Sequence, residues 1–260
     1  GHFVTASSKT PKRQTSRTNF SVGLTNDIQA LTPAGFAAMA SQGRWHPAPH
    51  LLFLSHQLTA LAGRRIKRLI VMEPPRHGKS QQISEYGPPW YLRQFPDHRV
   101  MLASYEATFA ESWGRKARDV IEQNPWIGLR VREDSGAASR WDVLGHRGGM
   151  STAGVGGPMT GKGADWLIID DPVKNAEDAQ SARIRERQWE WFHSTAMSRL
   201  EPGGVVALVM TRWHEDDLAG RLIKRMREGG EHWSVVRLPA IAEEDESYPF
   251  FSRKAGEPLW

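Results

Sequence analysis

Residues 73–80 have the composition and the setting of a loop that binds phosphate groups. They read Glu-Pro-Pro-Arg-His-Gly-Lys-Ser, follow a short apolar run and precede a predicted helix. In such a loop, backbone N–H groups at the helix start hold phosphates, the lysine reaches the terminal ones and the serine holds magnesium. The usual pattern begins with glycine where Glu73 stands, and a Gly-Lys-Ser triplet also occurs in plain turns. The predicted strand and helix on either side favour phosphate binding by Lys79 and Ser80.

Two carboxylates follow a second apolar run. Residues 167–169 are Leu-Ile-Ile, and Asp170 and Asp171 come directly after them. The carboxyl ends of parallel strands are where open sheets place their ligands. We expect Asp170 to hold magnesium and Asp171 to orient an attacking water molecule, as in phosphoryl transfer. The alternative is that the two acids only end a strand before Pro172.

A hydroxyl group and a cation end a third apolar run, residues 205–210. Thr211 is placed to sense a terminal phosphate, and Arg212 to respond to the charge that changes on hydrolysis. Taken alone, a Thr-Arg pair at a strand end is usually structural.

Apolar strands that alternate with helices must position these residues. Predicted strands cover residues 68–73, 99–105, 140–152 (two short strands), 166–169, 204–211 and 232–238. Predicted helices cover residues 27–39, 49–62, 106–123, 177–200 and 216–228, with one more after residue 80 that Gly-Pro-Pro at 87–89 ends or kinks. This alternation favours an α/β fold with a mainly parallel sheet covered on both faces.

Composition limits the class of protein. The chain has 260 residues, of which 39% are hydrophobic, and no cysteine, so disulfides and thiolate zinc sites are excluded. The longest apolar run, residues 205–210, is far shorter than the roughly 20 residues of a membrane helix. The net charge of +5 is concentrated in residues 1–24, which we expect to be a flexible basic arm. We expect residues 25–240 to form one folded domain and residues 241–260 an acidic linker.

Several separated segments together resemble the large terminase subunits of tailed double-stranded DNA bacteriophages. They are PPRHGKS at 74–80, Ala-Ser-Tyr at 103–105, GVGGPMTGKGADWLIIDDP at 154–172 and MTRWHEDDLAGRL at 210–222. The resemblance covers about residues 50–238. It implies a P-loop ATPase domain of the ASCE type, the motor that moves viral DNA into a procapsid, with ATP and Mg²⁺ as ligands.

The resemblance also implies residue roles by position. The implied catalytic residues are Arg76, Lys79, Asp171 and Thr211. The implied nucleotide-binding residues are Arg76, His77, Gly78, Lys79, Ser80, Gln81 and Gln57, and the implied magnesium ligands are Ser80 and Asp170. Asp171 occupies the place of the family's catalytic glutamate and is one methylene shorter.

Two parts of the family pattern do not map onto single residues. Thr160 stands where many relatives have an arginine that acts on a neighbouring subunit, which leaves Lys162, Arg147, Arg140 and Arg212 as candidates. Relatives hold adenine with a segment upstream of the phosphate loop, and the corresponding region contains Trp45, Pro47, His50 and Gln57. Helix packing explains His50 and Gln57 equally well.

The resemblance implies partners as well. They are double-stranded DNA, the portal protein ring, the small terminase subunit and further copies of the chain in a ring on the portal. We expect a monomeric, weak ATPase in isolation, located in the cytoplasm of the infected bacterial host, with no membrane contact. The nuclease domain of full-length terminases is expected to lie outside this sequence. The alternatives are a helicase-like or other DNA-dependent P-loop ATPase, and a nucleotide-gated binding module.

Overall fold

The computed structural model describes residues 29–260, in which a sheet of eight strands forms the centre. The predicted arm, residues 1–24, lies outside the described residues. In chain order the strands are β1 (Arg68–Met72), β2 (Arg99–Ser104), β3 (Val131–Ala137), β4 (Arg140–Val143), β5 (Gly149–Gly154), β6 (Ala164–Asp170), β7 (Leu200–Met210) and β8 (Ser234–Arg237). In the sheet they are ordered β3-β4-β5-β2-β6-β7-β1-β8.

Six neighbouring strands of this sheet are parallel. β5, β2, β6, β7, β1 and β8 pair in parallel, whereas β4 pairs with β5 and with β3 in antiparallel fashion. β1 lies between β7 and β8, with Leu69 opposite both Ala207 and Ser234. The predicted mainly parallel α/β sheet is therefore confirmed, and the carboxyl ends of these strands meet at one edge.

Helices cover both faces of the sheet. They are α1 (Pro33–Ala40), α2 (Pro49–Ala62), α3 (Gly87–Gln94), α4 (Ala107–Gln123), α5 (Ala176–Gln180), α6 (Ala182–Trp191) and α7 (Leu218–Arg227). Buried residues of α1 to α4 form one apolar cluster and those of α6 and α7 form another. On β7, Val205, Ala207 and Val209 join the first cluster, and Val206 and Leu208 join the second. This two-sided burial explains why the strand sequences are continuously apolar.

The long helix expected over residues 177–200 is wrong. Ser181 has extended backbone angles, ends α5, and accepts a hydrogen bond from Ile184 N as the first residue of a new helix. Serine competes for backbone groups in this way and is favoured at helix starts. After α6 the chain forms a π-helical turn and a 3-10 turn, and Leu200 already begins β7.

Three further differences concern local sequence signals. The kink expected at 87–89 is a π-helical segment, Gln81–Tyr86, after which Pro88 and Pro89 occupy the first turn of α3, where their missing N–H groups are tolerated. The helix expected over 27–39 is described as an α-helix only from Pro33, after the N-cap Thr32. β3 was not predicted, because its mostly exposed sequence VREDSGA lacks an apolar pattern.

Residues 241–260 pack on the domain. They contain the hairpin β9 (Glu246–Tyr248) and β10 (Phe251–Arg253), whose Tyr248 ring stacks on Phe53 of α2 at 4.7 Å between centroids. Phe251 and Leu259 belong to the apolar cluster that contains α2. The expected acidic linker is thus a folded segment as far as the structure describes it. Over residues 29–260, no helix is both long enough and apolar enough to span a membrane.

Candidate functional site

The loop of residues 73–80 connects β1 to the π-helical segment at the carboxyl edge of the sheet. Gly78 has a φ of 87°, in the left-handed region that glycine adopts without strain. A Cβ atom there would also lie 3.1 Å from Leu51 Cδ1. Arg76 has a φ of 64°, which costs a non-glycine residue about 1 kcal/mol. Such alternation of backbone conformation turns successive N–H groups toward one concavity, a form suited to anions.

Lys79 connects the loop to the neighbouring strand. Its side chain is buried, and Nζ donates a hydrogen bond to Thr211 Oγ1 at 3.4 Å. The Thr211 hydroxyl in turn donates to Glu73 O at 3.3 Å. Thr211 follows β7, which lies beside β1, so the strand order brings these residues together. A lysine and a hydroxyl predicted from separate motifs therefore meet at one point.

Ser80 and Asp170 meet in the same way. The Ser80 hydroxyl donates to Asp170 Oδ1 at 2.9 Å, and the Ser84 hydroxyl donates to Asp170 Oδ2 at 2.5 Å. Asp170 is fully buried, and burial, followed by the charge of Asp171, raises the pKa of its carboxyl group to about 7. The sequence reasoning did not identify Ser84. Its spacing of four residues from Ser80, one helical turn, was the available signal.

These oxygen atoms fit magnesium. A hydroxyl group and a carboxylate are hard oxygen donors, and Mg²⁺ is commonly held by one or two protein groups together with substrate phosphates and water. Within the described residues, no cluster of three or more His, Cys, Asp or Glu side chains could hold a metal ion by itself. Any magnesium bound by Ser80 and Asp170 would therefore depend on phosphate oxygens as further ligands.

Asp171 has an unusual backbone. Its φ is 46°, left-handed for a residue with a side chain. Hydrogen bonds on both sides hold it there: Asp171 N donates to Val209 O at 2.8 Å, and Tyr105 N donates to Asp171 O at 3.1 Å. Burial raises the pKa of its carboxyl group, while the positive charge of Lys79 opposes that rise. Backbone strain of this kind is concentrated at functional sites.

Arg212 follows Thr211 but belongs to the next turn. Its Nε lies 2.8 Å from Asp217 Oδ2, and its Nη2 donates to Glu215 O at 3.2 Å. Asp217 is buried and also caps α7 by accepting from Gly220 N at 2.8 Å. Arg212 therefore stabilises the turn that leads into α7.

The start of α2 supports the phosphate loop. His50 Nε2 donates to His77 O at 2.9 Å, and Gln82 Nε2 donates to Leu51 O at 3.0 Å. His50 and Trp45 are buried. Gln57 lies seven residues beyond His50, about 10 Å farther along the helix, and is half-buried. The structure thus joins His50 to the loop directly and places Gln57 two turns away.

A comparison with known families matches residues 70–254, more than half of the chain, to the family described as "Terminase large subunit, T4likevirus-type, N-terminal". The chain belongs to this family. The matched range includes the loop of residues 73–80 and the acids after β6. The family assignment predicted from the sequence is therefore confirmed.

Solved terminase structures resemble the chain over most of its length. The large terminase of a thermophilic bacteriophage is 12% identical, with a TM-score of 0.46 over 70% of this chain and 43% of its own. The bacteriophage HK97 large terminase is 13% identical, with a TM-score of 0.46 over 72% and 39%. The thermophilic phage enzyme in complex with ATP-gamma-S is 14% identical, with a TM-score of 0.41 over 70% and 42%. The chain spans less than half the length of these terminases. Among curated proteins no significant match was found.

Two candidates for the terminase trans-acting cation lie at the opposite edge of the sheet. Lys162 precedes β6, whose seven residues separate it from Asp171 by about 20 Å. Arg147 precedes β5, and its N–H donates to Asp97 Oδ1 at 2.9 Å. Both are therefore distant from the Lys79 site of their own chain. Their action on a neighbouring subunit stays a prediction.

Proposed function

We propose that the chain is the motor domain of a viral terminase, which hydrolyses ATP with Mg²⁺ to move double-stranded DNA into a procapsid. The observation that supports this most strongly is the convergence of two residue pairs at one edge of the sheet. Lys79 contacts Thr211, and Ser80 contacts Asp170, although the members of each pair are far apart along the chain. In this proposal residues 25–240 are the ATPase domain.

The residues divide the chemistry between binding and activation. The N–H groups of residues 76–80 hold phosphate oxygens, and Lys79 offsets their negative charge. Magnesium held by Ser80 and Asp170 would supply further charge neutralisation between the terminal phosphates. Asp171 orients a water molecule, whose oxygen bonds to the terminal phosphorus as the bond to the ADP oxygen breaks, and it receives the proton.

Thr211 is positioned to couple the phosphate to the rest of the domain. Its hydroxyl bridges Lys79 and the backbone of Glu73 in the structure. When Lys79 moves toward a phosphate, the Thr211 hydroxyl exchanges one partner for another. That exchange changes contacts at the end of β7, directly before the turn that leads to α7.

Phosphate release from ATP, measured with and without Mg²⁺, tests the proposal. We expect Lys79→Ala to reduce turnover at least about a hundredfold, because phosphoryl transfer depends on charge stabilisation. Lys224→Ala, which removes an exposed lysine on α7, is the matched control and should keep wild-type turnover. Wild-type turnover in Lys79→Ala would refute the assignment.

The two acids are expected to differ. Asp170→Asn should shift the Mg²⁺ concentration required for hydrolysis, whereas Asp171→Asn should lower kcat and leave ATP affinity nearly unchanged. Normal hydrolysis by Asp171→Asn would show that another carboxylate activates the water.

The proposed partners are duplex DNA, the portal ring, the small terminase subunit and further copies of the chain, all in the host cytoplasm. A site completed by a neighbouring cation is a weak ATPase when isolated, because one stabiliser of the developing charge is missing. Turnover should therefore rise when duplex DNA and portal are added together. An isolated monomer that hydrolyses ATP at the rate of the assembled motor would contradict this.

A further inference from the structure

The strand order sets the direction in which a nucleotide must lie. Across the sheet, β6, β7, β1 and β8 are neighbours in that order. Asp170 and Asp171 end β6 and Thr211 follows β7, so the terminal phosphate belongs on that side of the phosphate loop. The rest of the nucleotide then extends in the opposite direction, toward β8. Its base must meet the groups that lie beyond the loop on that side.

Four aromatic rings lie there, and we call them the aromatic niche: His50, His77, Phe251 and Trp260. The His50 ring is 6.3 Å, between centroids, from each of the other three rings. His77 belongs to the phosphate loop itself. His50 and Phe251 are buried, but the Trp260 side chain is 73% exposed. The niche thus has an apolar base and one large open ring.

The segment that carries Trp260 is firmly attached to the domain. Leu259 N donates to Ala240 O at 2.8 Å, and the Leu259 side chain is buried. Arg253 and Glu246 form a buried ion pair with 2.8 Å between Nε and Oε2. These contacts fix residues 246–260 against the region that follows β8. The indole is therefore held in place before any ligand arrives, which lowers the entropy lost on binding.

His50 leaves one polar atom of the niche unpaired. Its Nε2 donates to a carbonyl group and so carries the hydrogen, which leaves Nδ1 as an acceptor. Nδ1 is buried and has no hydrogen-bond partner within residues 29–260. Burial lowers the pKa of this imidazole and keeps it neutral. An unpaired buried acceptor is costly, and a ligand amino group would satisfy it.

We propose that the aromatic niche binds the purine base of the nucleotide, with the base stacked on the exposed face of the Trp260 indole. This inference rests on the proposed function, because it requires triphosphate in the loop of residues 73–80. A flat base has the shape and the π-face that an exposed indole binds. The 6-amino group of adenine has the donor that His50 Nδ1 lacks.

The test compares a ligand that has a base with one that has none. Calorimetric titration of the whole chain with ATP and with inorganic tripolyphosphate, both with Mg²⁺, gives two Kd values for each variant. We expect Trp260→Ala to weaken ATP binding about tenfold and to leave tripolyphosphate binding unchanged. Trp260→Phe should recover most of the ATP affinity. Phe250→Ala, which removes a ring that is 69% exposed on the same hairpin, is the control.

The outcomes separate this inference from the proposed function. If the wild type binds both ligands and Trp260→Ala binds ATP as tightly, the base lies elsewhere and the inference is refuted while the function stands. If Trp260→Ala loses ATP and tripolyphosphate equally, the change is structural and the inference is also refuted. Binding of neither ligand by the wild type would overturn the proposed function, and the niche with it.

Discussion

Glu73 should make the stability of the protein sensitive to pH, and Glu73→Gln should remove that sensitivity. Glu73 occupies the position at which phosphate loops usually have glycine. Its side chain is only 2% exposed, and neither carboxylate oxygen has a hydrogen-bond partner in the described part of the chain. Burial raises the pKa of this carboxyl group from its ordinary 4.5 to about 8, and the positive charge of Lys79 offsets part of that rise.

The sign and the magnitude follow from proton linkage. Between pH 4.5 and about pH 8 the folded protein keeps the Glu73 proton, whereas the unfolded chain has released it. The stabilisation that is fully present below pH 4.5 is therefore lost as the pH rises toward 8. Because each pH unit in this window costs about 1.4 kcal/mol, the wild type should lose about 2 kcal/mol between roughly pH 6 and pH 8 through this group.

Urea unfolding followed by tryptophan fluorescence, without nucleotide, measures this loss. Glutamine has no such proton, so the free energy of unfolding of Glu73→Gln relative to the wild type should increase by about 2 kcal/mol between roughly pH 6 and pH 8. Glu122→Gln, which replaces an exposed glutamate on α4, should track the wild type at both pH values. Parallel pH profiles for Glu73→Gln and the wild type would refute the reasoning.

Two further predictions concern the supports of the site. Gly114→Ala should destabilise the protein by about 1–3 kcal/mol in urea unfolding, despite alanine's higher helix propensity, because a Cβ would lie 2.2 Å from Ala138 O; a gain in stability would contradict this contact. Asp217→Ala should destabilise the protein by about 2 kcal/mol, because it removes a helix cap and the partner of Arg212. Asp217→Asn, which keeps a capping oxygen, should be less destabilised, and equal losses would assign the effect to the ion pair alone.

The parallel strands and the family could be predicted because their signals are local. β1, β2, β6 and β7 are buried on both faces, so each is a short apolar run that ends at a polar residue with chemistry. The carboxyl ends of parallel strands meet at one edge, so the proximity of Asp170 and Thr211 to the loop also follows from the pattern. The roles of these residues in catalysis stay predictions.

Other features depend on tertiary contacts that the pattern does not contain. The helix expected over 177–200 shows continuous helical spacing, yet Ser181 accepts a backbone hydrogen bond that starts a new helix. The hairpin at 246–253 is mostly polar, and its position depends on Tyr248 stacking on Phe53, a residue far earlier in the chain. For the same reason the aromatic niche could not be predicted, since Trp260 and His50 are joined only by the fold.

A crystal structure of the protein with Mg²⁺ and a non-hydrolysable ATP analogue tests the central claim most directly. The account predicts phosphate oxygens within hydrogen-bond distance of the N–H groups of residues 76–80 and of Lys79 Nζ, and a magnesium ion at Ser80 Oγ on the side of Asp170. A nucleotide bound elsewhere, or a phosphate chain that leaves Lys79 paired with Thr211, would contradict it.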